Sequence, residues 1–436
     1  MSHREDQTEM KALKKIGKVL LIIILVIAIA LTVGLNIKTV LSAHKNKDVI
    51  AAATPVADLT IPEGVQIVGL GEATHGSVQF QESKLEVFKL LVEKYDYRAI
   101  AIEADFSECL AANAYIQGGD GDARDIVNNL SFNIYHTQQM AELLSWMREY
   151  NATAPADKRL RFYGFDMQNW EKGVEPLKAF IASHNFEGCS TQAMEAMADP
   201  DRTESLSEAE VEAISQELQQ IGTALNQCDQ ADPDVINMKK VVENMETARE
   251  YYQLEFPDTY TYRDTAMAAN VTWILNREKE LGSGKLLIAG HDGHIAKCTS
   301  SAIIPVVMGG VLKEQYGDAY YSLGTDTFKG KANIHVETSA EYTRKDYFFH
   351  SADPMAYQAK YMEDKHYFLD FTTLSESHHP EVYEQVHSKM NMASLGEGFS
   401  AIYYLLPYVY RINMTPTDLY DGMIFYYEVQ ATNPEY

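Results

Sequence analysis

The sequence predicts an α/β fold: a mostly parallel central sheet with helical crossovers, a helical insertion and an added C-terminal β-rich part. Three observations carry this expectation. Short, β-branched apolar runs recur along the chain, each ending in glycine or an acidic residue. Helix-patterned sequence separates each of the first four runs from the next, the grammar of parallel strands joined by crossovers. One long stretch has helical spacing with no strand in it.

The elements follow in chain order. "VQIVGLGE" (65–72) is a buried strand with glycines at its end, and 78–95 has helical spacing through Phe80, Leu85, Phe88, Leu91 and Val92. "YRAIAIEAD" (97–105) and "LRFYGFD" (160–166) are the second and third strands. Residues 203–256 hold two long amphipathic helices, read as an insertion that caps the sheet. "RDTAMAANVTWILNREKEL" (263–281) is a further helix that leads through "GSG" into a fourth strand, "KLLIAG" (285–290). More strands are expected around 319–336, at 366–371 and at 422–430. No internal repeat or low-complexity segment interrupts this order.

Upstream of the body, "KALKKIGK" (11–18) precedes the apolar run "VLLIIILVIAIALTVGL" (19–35). As a helix at 1.5 Å per residue that run is roughly 26 Å long, enough for a thin hydrocarbon core. The division expected is a cytoplasmic tail (1–18), a transmembrane helix (19–37), a linker (38–62) and one body (63–436) with the insertion at about 203–256. Lysines before the run favour an N-terminus left in the cytoplasm, so the body lies extracytoplasmic on a single-pass signal anchor in the cell membrane. A cleaved signal peptide is the alternative, although "LSA" (41–43) is a poor cleavage site, and it too exports the body.

Of 436 residues 46% are hydrophobic, which allows a sizeable core. The 37 basic and 62 acidic side chains leave a net charge of −25, which argues against a nucleic-acid partner because phosphate binding needs a basic surface. In an oxidising compartment Cys189 and Cys228, flanking one helical segment, are expected to pair, whereas Cys109 and Cys298 read as core residues.

In open parallel sheets, ligands bind outside the carboxyl ends of the strands. The first strand delivers Glu72 and His75 there, the second Glu103 and Asp105, the third Asp166, and the fourth His291, Asp292 and His294. Singly, each reads as readily as a structural residue: a satisfied loop histidine, or a carboxylate capping the next helix. Their convergence on one rim carries the functional reading.

Taken together, "GLGEATHGSVQF", "AIEAD", "FYGFDMQ", "YRDTAMAANV" and "IAGHDGHIAK" resemble the erythromycin esterase family, from about residue 63 to the end. "MGGVLKEQYGDAYYSLGTDTFKGK" and "YDGMIFYYEVQ" resemble its C-terminal half, and 186–235 is the least family-like part. The resemblance implies hydrolysis of an ester by activated water, with no covalent intermediate, metal or other cofactor. It also implies roles. His75 matches the general base, Glu72 the acidic residue preceding it, and Glu103 a carboxylate that some members replace by arginine. Arg263 matches the arginine of the R-D-x-x-M-A-x-N helix, and His291 and His294 match the paired histidines.

Chemistry agrees, since an ester needs a base to take a proton from water and positive or donor groups for the developing oxyanion. Arg263 and a protonated His291 suit the second task. Glu103, ending the adjacent strand, is the expected partner of His75, with Glu72 left to hold the loop. His294, Lys84, Asp166 and His136 are expected at the substrate. Lys84 stands where several members carry arginine, and "FNIYHTQQM" (132–140), which contains His136, replaces a tryptophan-rich acidic stretch. The expectation is therefore a reaction class, with a small-molecule ester or acylated substrate, rather than erythromycin. Two alternatives remain open: a metal-dependent hydrolase using the Glu/His cluster, and a non-catalytic envelope-associated binding or assembly protein.

Overall fold

The computed structural model describes residues 2–198 and 207–434. Eleven strands lie among them: β1 Ile67–Glu72, β2 Ala99–Asp105, β3 Arg161–Asp166, β4 Leu286–His291, β5 Tyr320–Val336, β6 Arg344–His350, β7 His366–Asp370, β8 Met390–Ala393, β9 Gly398–Phe399, β10 Arg411–Met414 and β11 Gly422–Val429. The main sheet runs β3-β2-β4-β1-β5-β11-β7, with β6 and β9 also pairing with β5. Every pair from β3 across to β11 is parallel, and β7 closes the edge antiparallel to β11.

Chain order explains where a site can form. From β1 the chain steps out to β2 and β3, returns between β2 and β1 as β4, and then crosses to the other side of β1 as β5. This reversal of direction beside β1 opens a crevice at the carboxyl ends, because neighbouring crossovers leave on opposite faces.

Successive residues of each strand enter opposite cores, as a parallel sheet covered on both faces requires. Ile67, Ala101, Leu286 and Ile288 pack on one side with Ile214, Leu218, Val241 and Met245 of the insertion helices Glu208–Leu225 and Pro233–Tyr251. Val68, Leu70, Ile100 and Leu287 pack on the other with Phe80 and Phe88 of helix Val78–Tyr95 and Leu144 of helix Gln138–Thr153. The insertion is thus not a cap across the strand ends. Its apolar stripe is spent on the sheet's flank, and Tyr251 and Tyr252 reach the rim, where they bond Gln168.

Three further expectations are corrected. The end of the supposed linker is packed structure. Asn46 caps helix Lys47–Ala52, the Asp48 carboxylate accepts from the Glu381 and Val382 amides, and Thr54 bridges Phe368 of β7. Cys189 and Cys228 are free thiols, the latter donating to the Ala224 carbonyl one helical turn back. Four strands went unforeseen (β6, β8, β9 and β10), being short or solvent-facing and held by tertiary pairing rather than pattern. At the N-terminus the backbone is one helix, Ser2–Ser42, and its large apolar residues from Ile16 to Leu41 whose side chains are described are exposed. Among the described residues no helix is long and apolar enough to cross a membrane. The expected span 19–37 lies partly outside them, since the side chains of Thr32, Leu35 and Asn36 are not described.

Candidate active site

β1 ends at Glu72, and the chain turns through Ala73–Ser77 into helix Val78–Tyr95. The glycines here serve close approach. A Cβ on Gly71 would sit 1.8 Å from Asp292 Oδ1, and one on Gly76 only 2.1 Å from the Asn333 carbonyl. The loop is pressed between β4's continuation and β5, so His75 is held in place with 8% of its surface exposed. Its Nδ1–H donates to Glu72 Oε1 at 2.8 Å, which leaves Nε2 with the lone pair when the ring is neutral.

Glu72 is itself clamped. Its second oxygen accepts from Lys84 Nζ at 2.7 Å and from Gln81 Nε2 at 3.1 Å, and Gln81 also donates to the His75 carbonyl. Burial pushes the Glu72 carboxyl up, but the Lys84 ammonium and the His75 bond together hold it below the usual carboxylate range. It is therefore an anion fixed against one face of the imidazole.

A second network faces the first. Arg263, from helix Asp258–Glu280, donates through Nη2 to Asp166 Oδ2 at 2.6 Å and to Glu103 Oε1 at 2.9 Å. The other Glu103 oxygen accepts the His291 amide at 2.8 Å, tying the end of β2 to the end of β4. His294 Nδ1 lies 2.9 Å from Asp264 Oδ1, and its Nε2 lies 3.3 Å from Glu103 Oε1. Burial disfavours the charge on His294, yet Glu103 and Asp264 outweigh it and raise its pKa to about 10, so it is an imidazolium at neutral pH. Burial likewise opposes the Glu103 charge, and His294 and Arg263 reverse that, taking it well below its ordinary value.

His291 is the opposite case. Burial, followed by the neighbouring His75 and His294, takes its pKa down to about 3, so it is neutral. The Gly293 amide donates to its Nδ1 at 3.1 Å, which places the ring proton on Nε2, and that buried Nε2–H has no partner among the described residues. Its ring centroid is 5.0 Å from that of His75. The chemistry on offer is therefore a proton acceptor at His75, a neutral donor at His291 and two cations behind it.

These groups line a cavity of about 670 Å³ walled by Ser131–Ile134, Gln168, Tyr260, Tyr342, Gly396 and Glu397. The volume suits a drug-sized ligand.

Comparison with known proteins shows the family and the fold. The family model described as erythromycin esterase matches residues 92–429. The chain belongs to the erythromycin esterase family. It is 23% identical over 305 residues to YbfO of Bacillus subtilis (strain 168), named as a hydrolase, covering 62% of this chain and 66% of that one. It is 21% identical over 316 residues to erythromycin esterase type II of Escherichia coli, covering 64% and 73%. A crystal structure of a succinoglycan biosynthesis protein shares the fold, with a TM-score of 0.71 at 19% identity over 89% of this chain and 97% of that one.

Within this erythromycin esterase fold the structure brings His75, Glu72, Glu103, Arg263, His291 and His294 together, and it redistributes the expected contacts. Glu72, not Glu103, bonds His75, because the loop folds back three residues while Glu103 is occupied by Arg263 and the His291 amide. His291 is neutral rather than protonated. Lys84 and Asp166 are buried behind the rim on Glu72 and Arg263, outside the cavity lining. The segment 131–134 lines the cavity, whereas the ring of His136 turns away to donate from Nε2 to the Leu130 carbonyl. The 132–134 part of the wall falls at the start of the segment expected to line the cavity, whereas Asp264, Gln81 and the wall residues Tyr260, Tyr342, Gly396 and Glu397 were not foreseen. Asp264 was visible as the residue after Arg263, but nothing local links it to a histidine 30 positions on.

The depressed His291 pKa sets a stability expectation. Between the unfolded value near 6.5 and about 3 the unfolded chain binds a proton there that the folded chain does not. Stability therefore falls as pH drops through that window, by up to about 1.4 kcal/mol per pH unit from this group. His291→Asn should unfold with a shallower acid dependence than wild type, read as melting temperature from pH 7 to 4. Parallel curves would contradict it.

Proposed function

We propose that the protein hydrolyses a carboxylic ester or lactone by water activated at His75, without a covalent intermediate. The observation that carries this reading is the 2.8 Å Glu72–His75 bond, which fixes the tautomer that accepts a proton at Nε2 beside the cavity. Water gives that proton to Nε2 as its oxygen attacks the carbonyl carbon. The oxyanion is received by the His291 Nε2–H, backed by Arg263 and His294, groups placed before the charge develops. Collapse breaks the C–O bond, and the His75 proton passes to the leaving alkoxide. Ser131, the serine in the lining, gives its hydroxyl to Glu108 and is not paired with His75.

A metal-dependent reading draws less support from the donor set. Both Glu72 oxygens are engaged by His75, Gln81 and Lys84, and Glu103 by Arg263, His294 and the His291 amide. We also infer from the lysine-flanked apolar run that the N-terminal helix holds the body on a membrane, outside the cytoplasm.

The test is to screen full-length protein against lactones and acylated glycans with and without EDTA. Acid release from at least one class, unchanged by EDTA, is expected. A folded protein inactive across the panel would overturn hydrolysis in favour of a binding role, and EDTA loss restored by zinc would favour the metal reading.

A further inference from the structure

Past the cavity wall the chain carries no charged side chain from Gly398 to Tyr410, although the protein as a whole carries −25. Two short 3-10 turns, Ala401–Leu405 and Pro407–Val409, present this stretch to solvent. Ile402 is 60% exposed, Leu405 45% and Tyr408 75%, and Phe348 of β6 (43%) lies beside Tyr404. The segment is packed from beneath. Phe399 packs against Tyr347, Tyr403, Tyr404 and Tyr410, and Pro407 is buried.

An uncharged, tyrosine-rich surface of this kind, packed from beneath, marks an interaction site. Two observations say what it meets. Helix Ser2–Ser42, with its exposed apolar residues, touches the 401–405 turn, so both apolar surfaces are continuous. Tyrosines mixed with aliphatics are the composition suited to the water–hydrocarbon boundary, with the ring in the apolar layer and the hydroxyl in the polar one. A second copy would bring another acidic body against this one, whereas a zwitterionic lipid surface brings no net charge.

We propose that Phe348 and residues 402–409 dock on the interfacial layer of a lipid bilayer. Gly396 and Glu397 line the cavity immediately before this segment, and Tyr342, 54% exposed, donates to Glu397 at 2.8 Å. The cavity rim and the docking surface are therefore neighbours, and the substrate class that fits is an amphiphilic acyl ester drawn from the bilayer. This rests on the membrane attachment and the hydrolysis proposed above.

The test uses full-length protein reconstituted in phosphatidylcholine vesicles. In Tyr408→Trp the added tryptophan emission should fall at least twofold when the lipid is brominated. No added quenching, with the protein still sedimenting with the vesicles, would overturn docking while leaving attachment intact. Cross-linking through position 408 between copies, in place of quenching, would also overturn it. The triple variant Ile402→Ser/Leu405→Ser/Tyr408→Ser should lose at least tenfold on p-nitrophenyl palmitate held in the vesicles, with p-nitrophenyl acetate unchanged. Equal effects on both esters would overturn the substrate class. No hydrolysis of either by wild type would count against the esterase reading alone, since quenching decides docking without turnover.

Discussion

His75→Asn should lower turnover on a hydrolysed ester by about 10²–10⁴, the range for losing a general base. Asparagine roughly matches the shape of the ring's near side and can still reach Glu72, but it has no site that takes a proton from water. Melting should change little, because the Lys84 and Gln81 bonds to Glu72 remain. Glu72→Gln probes the same pair from the other side. An amide offers Nδ1 an N–H as readily as an oxygen, which permits the wrong tautomer, and Lys84 loses its buried counter-ion. A loss approaching that of His75→Asn is expected, together with reduced stability. Steady-state turnover alongside circular dichroism melts checks both, and near wild-type turnover in folded His75→Asn would remove the mechanism.

The second large effect is at Arg263. One guanidinium bonds both Asp166 and Glu103, each nearly fully buried, and sits 3.3 Å from His294. Arg263→Leu takes the guanidinium from Asp166 and leaves Glu103 with His294 and the His291 amide. Removing one partner of a buried ionic group costs about 3–5 kcal/mol, so denaturant unfolding should show a loss of that order. Arg263→Lys keeps the charge but not the fork, and a single ammonium cannot span both carboxylates in the same geometry. It should fall between the two in stability while losing most of the turnover. Wild-type stability in Arg263→Leu would mean that the network is not held by this charge.

Much of the site was legible because strand ends are local. β-branched runs closed by glycine or acid predict where a parallel strand stops, and the rule for open α/β sheets says that ligands gather there. Glu72, Glu103, His291 and their neighbours could therefore be named without knowing strand order. The cavity's outer wall beyond 132–134 was not legible. Tyr342 comes from the turn before β6, Gly396 and Glu397 precede the two-residue β9, and neither strand has a pattern strong enough to show in sequence.

By itself the sequence determined the layered α/β body, the family and the residue types at the rim, since periodicity, turn chemistry and motif order are written along the chain. Tertiary structure alone decided which carboxylate holds His75, that the insertion flanks the sheet instead of capping it, and that His291 is neutral while His294, three residues on, is charged. The reason is physical. A hydrogen-bond partner and a charge state depend on burial and on the fields of groups brought from distant segments, here Glu103, Asp264 and Arg263, and no spacing along the chain encodes how close those groups come.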